Sequence, residues 1–257
     1  MPAPRSSAQR KFARGVEQVK RLSAEADGFE DRNAYLFRAE VHSRSPHKIE
    51  YRCFAVEQEP PPDEWPLLAG KAIQNLRSAL DHLVYAASRG RSGTQFPIFT
   101  DPGRFEAEKA RMLPGVPATV RAAIENAQPY RTAPRAPGRA MLEQLRWLSN
   151  LDKHRTLATV ASAVQHEGVG VPKGVGINWQ KYATNQPLGS GETHVSTFTA
   201  SSESELGDVD LEPMFAYEVR IEGRRLSLLT SIIQEAYRVL VECETGKPLS
   251  PFATYPL

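Results

Sequence analysis

The sequence predicts an α+β fold, in which a helical bundle has an antiparallel β-sheet packed beside it. Four long segments repeat apolar residues at intervals of three and four, as helices with one buried face do. Other segments alternate apolar and polar residues or are rich in β-branched residues, which is typical of strands. The chain has 257 residues, of which 40% are hydrophobic, so it is long enough to bury a core as one domain over 1–257.

The first two elements are a helix and a β-hairpin. Residues 6–31 are predicted to be helical, with Phe12, Val16 and Val19 on the apolar stripe. Residues 33–58 predict the hairpin, because AYLFRAEVHS and IEYRCFAVEQ alternate on either side of the turn RSPHK. The prolines of EPPPDEWP then end the second strand, since proline cannot donate to a β-ladder.

Residues 64–155 are predicted to form a helical core. Apolar periodicity and breaker residues divide it into two long helices with two short ones between them. The predicted ranges are 64–88, 102–112, 117–126 and 139–155. The proline-rich stretch QPYRTAPRAPG predicts a rigid connector rather than a helix.

The remaining chain predicts strands followed by one helix. Residues 156–223 are a β-rich segment, because TLATVASAVQ, GVGINWQKY, ETHVSTFTA and MFAYEVRIEG are separated by polar or glycine-rich turns. The stretch GVGVPKGVG within this segment predicts a turn or a loop, because it lacks the lysine–serine or lysine–threonine ending of a phosphate-binding loop. Residues 224–244 predict a strongly apolar C-terminal helix.

Composition excludes several classes of function. The net charge is +2, from 32 basic and 30 acidic residues, which is no bulk signature of nucleic-acid or membrane binding but leaves room for a local basic patch. No stretch approaches a membrane span or a secretory signal, so we expect a cytoplasmic protein without a membrane partner. Cys53 and Cys243 have no zinc spacing and the histidines form no metal motif, so we predict buried, reduced thiols, no metal and no cofactor.

The stretch NLRSALDHLVY carries the first group of candidate functional residues. At about 100° per residue, Asn75 and His82 nearly superimpose on one edge of the helix. Arg77 and Asp81 are four residues apart and can form an ion pair. Arg77 and His82 leave the helix about 140° apart, on opposite sides of the apolar stripe.

The stretch SNLDKHR carries the second group. Asp152 follows Leu145 by seven residues and therefore projects onto the inward face of its helix. Because an unpaired buried charge is costly, Asp152 needs a partner, and we expect it to be Asn75, Arg77 or His82. Such a pair could serve binding or could only fix helix register, and both interpretations stay open at this point.

The combination of NLRSALDHLVY, FPIF, QPY and LEQLRWLSNLDKHR resembles a family of bacterial proteins that is common in actinobacteria. The resemblance covers roughly residues 64–160. It implies no activity, because that family has no assigned chemistry.

Arg77 and His82, with four residues between them, also resemble the arginine–histidine motif of the HEPN superfamily. Those proteins are α-helical bundles, many of them metal-independent ribonucleases in which the pair meets across a homodimer. The resemblance implies that His82 activates a ribose 2′-hydroxyl or protonates the leaving oxygen, and that Arg77 stabilises the phosphorane-like charge. The chain departs from the pattern at Ser78 and in its long β-rich segment.

Three functional hypotheses follow. The first is a binding or interaction protein, a sensor of a small ligand or of a partner, that uses a polar seam between the Asn75 helix and the Asp152 helix or uses the β face. RNA or a small ligand is the expected partner of the chain, and a homodimer is a further option. The alternative is a HEPN-type ribonuclease with Arg77 and His82 as catalytic residues. The third is a purely architectural seam. The expected binding residues are Asn75, Asp81, Asp152, Lys153, His154 and Arg155, although the helix dipole alone accounts for cations at the end of a helix.

Overall fold

The computed structural model describes residues 6–135, 138–165, 177–181, 186–201, 215–250 and 253–256. These residues form seven helices and eight strands, and the sheets are antiparallel, which confirms the α+β class. The glycine-rich stretch at 168–176 lies outside the described residues. None of the helices in the described ranges is long and apolar enough to cross a membrane.

The helices begin and end within three residues of the predicted bounds where a helix was predicted. In chain order they are α1 (Ser7–Asp31), α2 (Trp65–Ala87), α3 (Pro102–Met112), α4 (Ala118–Asn126), α5 (Pro129–Thr132), α6 (Met141–His154) and α7 (Ser227–Thr245). The strands are β1 (Tyr35–Ser45), β2 (Lys48–Glu57), β3 (Thr159–Gln165), β4 (Ile177–Lys181), β5 (Gln186–Pro187), β6 (Glu192–Ser201), β7 (Phe215–Ile221) and β8 (Arg224–Arg225).

The proline-rich connector contains a helical turn that the sequence did not predict. Helix α5 is four residues long and begins at Pro129. Proline is well tolerated at the first position of a helix, because its missing N–H would have no partner there. The prediction of a wholly non-helical connector was therefore wrong at this one turn.

The start of the C-terminal helix also differs from the prediction. Arg224 and Arg225 form strand β8, which pairs with the end of β7. Glu222 and Gly223, which connect the two strands, both have positive φ, at 51° and 72°. Two successive residues with positive φ are the signature of a tight type I′ hairpin turn. The chain therefore reverses before it becomes helical, and α7 begins at Ser227.

The described contacts divide the chain into two compact units. The helical unit comprises Met1–Ser23, Pro66–Leu157 and Leu226–Leu257. The β unit comprises Ala24–Trp65 and Ala158–Arg225. Each unit is assembled from separate stretches of the chain. The expectation of a single domain over 1–257 stays a prediction.

The helical unit buries the apolar stripes that the periodicity predicted. Its fully buried side chains include Leu22, Ile73, Leu76, Leu80, Leu142, Leu145, Leu148 and Ile232. Helices α1 and α2 approach closely at Gly15, where a Cβ atom would lie 2.9 Å from Cγ of Leu76. Because neighbouring side chains would have to move to admit that atom, glycine is required at this position.

The described part of the β unit contains two four-stranded sheets, with the strand orders β1-β2-β6-β4 and β5-β3-β7-β8. Strands β1 and β2 form the predicted hairpin, with Ser45 paired to Lys48 next to its turn. Alternate residues of β2 are buried, among them Cys53. The Tyr51 ring stacks on Phe198 of β6 with centroids 5.0 Å apart. This is the cross-strand aromatic pairing that stabilises a sheet.

Candidate functional site

Asp152 binds a partner that the sequence did not identify. Its Oδ2 atom accepts a hydrogen bond of 3.0 Å from Nε2 of Gln74, which also donates to the carbonyl of Ser149. A Cβ atom at Gly70 would clash with the Asp152 carboxylate. The glycine therefore lets α6 approach α2 at the level of Gly70 and Gln74. The expected pairing of Asp152 with Asn75, Arg77 or His82 was wrong.

Asn75 and His82 both contact α1, in agreement with their predicted position on one edge of α2. The Asn75 amide donates to Oε1 of Gln18 at 3.0 Å. The His82 ring lies 3.1 Å from the Ser7 hydroxyl, measured from Nδ1. These polar contacts hold α1 against α2.

Arg77 and Asp81 form the predicted ion pair, at 3.0 Å. Both side chains also bind the backbone of one residue in the loop after α2. Nη2 of Arg77 donates to the Phe96 carbonyl at 2.7 Å, and Oδ1 of Asp81 accepts from the Phe96 N–H at 2.9 Å. Arg77 is only 8% exposed, so the pair is an anchor for the loop as well as a local salt bridge.

The rest of the FPIF stretch is held in the same way by buried or half-buried side chains. Gln128 donates to the Pro97 carbonyl and accepts from the Phe99 N–H. Nη1 of Arg146 on α6 donates to the Ile98 carbonyl at 2.9 Å. Because a loop without ladder partners must satisfy its buried polar groups by other means, these side chains fix its path.

The fixed loop forms one wall of a cleft, and α2, α3 and α6 supply the other walls. The cavity has a volume of about 260 Å³. Its charged lining residues are Arg77, Arg104, Glu108, Arg111, Arg146 and Lys153. Five cations and one carboxylate therefore surround the space, together with polar groups of Ser149 and Asn150.

Two of the five cations are neutralised within the protein. Arg77 is paired with Asp81, and Arg111 is paired with Glu108 at 2.6 Å. Arg104, Arg146 and Lys153 form no ion pair with any residue that the structure describes. The cleft therefore has a surplus of three positive charges.

The Phe99 ring lies next to two of these cations. The guanidinium carbons of Arg104 and Arg146 are 5.8 and 6.0 Å from the ring centroid. A guanidinium next to an aromatic face keeps its N–H edges available for hydrogen bonding while the ring holds it in place. Phe99 thus positions two arginines beside the cavity.

Burial perturbs the two charges behind the cleft. Burial lowers the pKa of the Arg77 guanidinium, Asp81 raises it, and the nearby charge of Arg146 lowers it again. Burial also raises the pKa of the Asp81 carboxyl, while Arg77 and the Phe96 N–H oppose that shift. Asp81 therefore offsets only part of the cost of burying the charged Arg77 guanidinium. An anion that enters the cleft would stabilise the charged form further.

The structure separates the predicted catalytic pair. Arg77 faces the loop and the cleft, whereas His82 is bonded to Ser7 on α1. Among the predicted binding residues, Lys153 lines the cleft and Asp81 supports it. His154 and Arg155 are exposed at the end of α6.

Sequence reasoning missed Arg104, Arg111, Arg146 and Gln128. A signal for three of them is present in the sequence. Arg104 and Arg111 are seven residues apart on α3, and Arg146 and Lys153 are seven apart on α6. Residues seven apart share one face of a helix, so each helix presents a pair of cations on one side. The spacing does not show that the two faces line the same cavity.

Comparison with known proteins identified no relative of this chain. No protein-family model, curated protein or solved structure matches the chain. The site must therefore be interpreted from its own chemistry. Among the described residues, no group of three histidine, cysteine, aspartate or glutamate side chains could hold a metal ion.

Proposed function

We propose that the protein binds an anionic ligand in the cleft between α2, α3, α6 and the FPIF loop. The observation that carries this proposal is the surplus of three cations, Arg104, Arg146 and Lys153, around a preformed cavity. Like charges held close together repel one another, so such a cluster costs stability unless an anion occupies it. Hydrogen bonds from charged donors to an anion are about twice as strong as neutral ones.

The charge of the whole helical unit favours the same ligand class. Its sequence ranges contain 22 Lys and Arg residues and 11 Asp and Glu residues, a net charge of +11. A field of this sign attracts anions from solution and raises their association rate, with an effect that falls as the salt concentration rises. Long-range attraction and local hydrogen bonding therefore both support anion binding.

The proposed binding site lies at a different point of the polar seam from the one around Asp152 that the sequence predicted. The seam between α2 and α6 has the Gln74–Asp152 hydrogen bond at one point and the Arg77 and Arg146 side chains at another. The Gln74 amide donates to the Asp152 carboxylate, and a negatively charged group would repel an anion, so the first point does not suit the proposed ligand. The second pair presents positive charge to an open space, so it supports the binding role.

Sulfate binding measured by calorimetry and thermal denaturation tests the proposal. We expect sulfate to raise the melting temperature beyond the effect of chloride at equal ionic strength. The variants Arg104→Ala and Lys153→Ala remove cations that form no ion pair with the described residues, so folding should be retained. Each should weaken sulfate binding by about tenfold, because a hydrogen bond to a charged group contributes about 1.5–3 kcal/mol.

Arg121→Ala is the matched control. Arg121 is exposed on α4 and does not line the cleft. Its loss changes the net charge by the same amount and should leave sulfate affinity nearly unchanged. Equal losses in Arg121→Ala and Arg104→Ala would show that only net charge matters, and the proposed site would be wrong.

The ribonuclease alternative stays a prediction that needs its own test. Arg77 and His82 have different partners within one chain, so that mechanism would require a second copy to bring them together. RNA incubated with the purified protein and with His82→Ala tests it. Cleavage that disappears in the variant would support the alternative, and intact RNA in both would contradict it.

A further inference from the structure

The cleft combines two arginines that the protein holds in position with a surplus of three positive charges. Arg77 is buried behind it, and Arg104, Arg146 and Lys153 surround it from α3 and α6. The Phe99 ring and the Ile98 carbonyl hold two of these side chains before any ligand arrives. Preorganised donors of this kind lose little freedom on binding, so they favour a ligand with matching geometry.

The charge of the site distinguishes between classes of anion. A phosphodiester carries one negative charge and is esterified on two sides. A terminal phosphomonoester carries a charge of about −1.5 to −2 at pH 7 and has three free acceptor oxygens. The charged donors that line the cleft come from α2, α3 and α6, so they face it from more than one side, as a group with three free oxygens requires.

We propose that the cleft binds the terminal phosphomonoester of its ligand, in the dianionic form. This inference rests on the proposed anion-binding function and narrows it to one chemical class. Arg104, Arg146 and Lys153 would donate to the phosphate oxygens, and the exposed amide of Asn150 lies at the same cavity as a neutral donor. Carboxylate ligands offer only two oxygens and one charge, so they match the surplus less well.

Phe99 is a positioning residue in this proposal. It would act on the ligand only through Arg104 and Arg146, whose guanidinium groups lie near its ring. Phe99→Leu keeps an apolar side chain at the position and removes the aromatic face. We expect phosphate affinity to fall severalfold while the melting temperature of the ligand-free protein changes little. A parallel loss of both would indicate a purely structural role.

Calorimetry with matched probes at pH 7.5 tests the ligand class. The probes are methyl phosphate, dimethyl phosphate, acetate and sulfate, each with the full-length protein. Methyl phosphate should bind at least about tenfold more tightly than dimethyl phosphate or acetate, because it alone among these three is a dianion at this pH. Equal affinities for the monoester and the diester would overturn this inference while leaving anion binding intact. The absence of binding to every probe would overturn both proposals.

A pH series separates titration of the ligand from titration of the protein. The second pKa of a phosphomonoester is about 6, so methyl phosphate should lose about tenfold in affinity between pH 7.5 and 5. Sulfate stays dianionic over this range. The titratable groups at the cleft are Asp81 and Glu108, beside the cations of α2, α3 and α6. A loss of sulfate affinity equal to that of methyl phosphate would place the titration on the protein and contradict the inference.

A pair of short oligonucleotides distinguishes the terminal phosphate of a nucleic acid from its backbone. The two members differ only in the presence of a 5′-phosphate. Tighter binding of the phosphorylated member, reduced by Lys153→Ala, would support the inference. Equal affinities would show that the protein recognises the phosphodiester backbone, and the terminal-phosphate inference would be wrong.

Discussion

The helical unit and the β unit differ in sign of charge although they belong to one chain. The helical unit has 22 basic and 11 acidic residues, and the β unit has 10 basic and 19 acidic residues. Their net charges are therefore +11 and −9, and they sum to the unremarkable +2 of the whole sequence. A net charge near zero thus conceals two regions with opposite electrostatic fields.

The two regions also use polar side chains for different purposes. In the helical unit, Asp81, Gln128 and Arg146 bind the backbone of a loop that has no ladder partners. In the β unit, the described strands pair through backbone hydrogen bonds, and the Tyr217 hydroxyl bonds the Phe29 carbonyl and the Ala34 N–H. Side-chain hydrogen bonds therefore fix the loop that forms one wall of the cleft. The position of this loop determines which cations line the cavity.

The largest expected effect is that of Gln128→Leu in the helical unit. The substitution keeps the volume but leaves the Pro97 and Ile124 carbonyls and the Phe99 N–H without their donor or acceptor. We expect the free energy of unfolding to fall by about 4 kcal/mol, because each buried polar group left without a partner costs about 1–3 kcal/mol. Urea denaturation of the variant and of the wild type measures this difference in the free energy of unfolding. Gln95→Leu, at an exposed position, should change stability far less, and equal effects would contradict the role of Gln128.

Asp81→Ala should produce the next largest effect. It leaves the buried Arg77 without its counter-ion and the Phe96 N–H without an acceptor. We expect a loss of about 3 kcal/mol, in the range for breaking a buried pair on one side. The control is Glu106→Ala, which breaks the exposed pair with Lys109 and should cost less than about 1 kcal/mol. Added sulfate should restore part of the stability of Asp81→Ala only if Arg77 faces the anion site.

Tyr217→Phe tests the β unit. The hydroxyl accepts from the Ala34 N–H at 2.8 Å and donates to the Phe29 carbonyl at 2.9 Å. We expect a loss of about 2 kcal/mol, since both backbone groups lose a buried partner. Tyr85→Phe is the control, because Tyr85 is 51% exposed.

Each unit has one buried free thiol, Cys53 in the β unit and Cys243 in the helical unit. Faster labelling of Cys53 in Tyr217→Phe would therefore assign the effect to the β unit.

The last expected effect is confined to alkaline pH, where the β unit should lose stability. Burial raises the pKa of Tyr35 to about 12, with a further rise from Glu57, and burial raises the pKa of Cys53 to about 12. A group whose pKa is higher in the folded state stabilises that state below its unfolded pKa, and this stability is lost as pH rises through the folded value. Stability should therefore decline from about pH 9 toward pH 12.

Tryptophan fluorescence of the Trp147→Phe variant, followed during urea denaturation, measures this loss of stability. The substitution leaves Trp65 and Trp179, which both belong to the β unit. We expect urea midpoints to fall between pH 9 and 11.5, and Tyr35→Phe should reduce the fall. A midpoint that does not change with pH would show that neither buried group titrates abnormally.

Local interactions explain why much of the secondary structure could be predicted. The helix periods, the 33–58 hairpin and the Arg77–Asp81 pair all depend on residues close in sequence, where helix and strand geometry fixes which side chains meet. The missed turn at Glu222 and Gly223 was also local, but its two positive φ values were not recognised from the residues. The α+β class followed from these elements.

Contacts between distant segments decided the candidate site. The sequence by itself determined that Asp152 faces inward and that Arg104, Arg111, Arg146 and Lys153 occur in pairs seven residues apart. Only the tertiary structure showed that Gln74 binds Asp152 and that both pairs of cations line one cavity. It also divided the charges into a basic and an acidic unit, because each unit is assembled from separate stretches of the chain. Helical geometry fixes the face on which a side chain lies, but the path of the connecting loops fixes which faces meet.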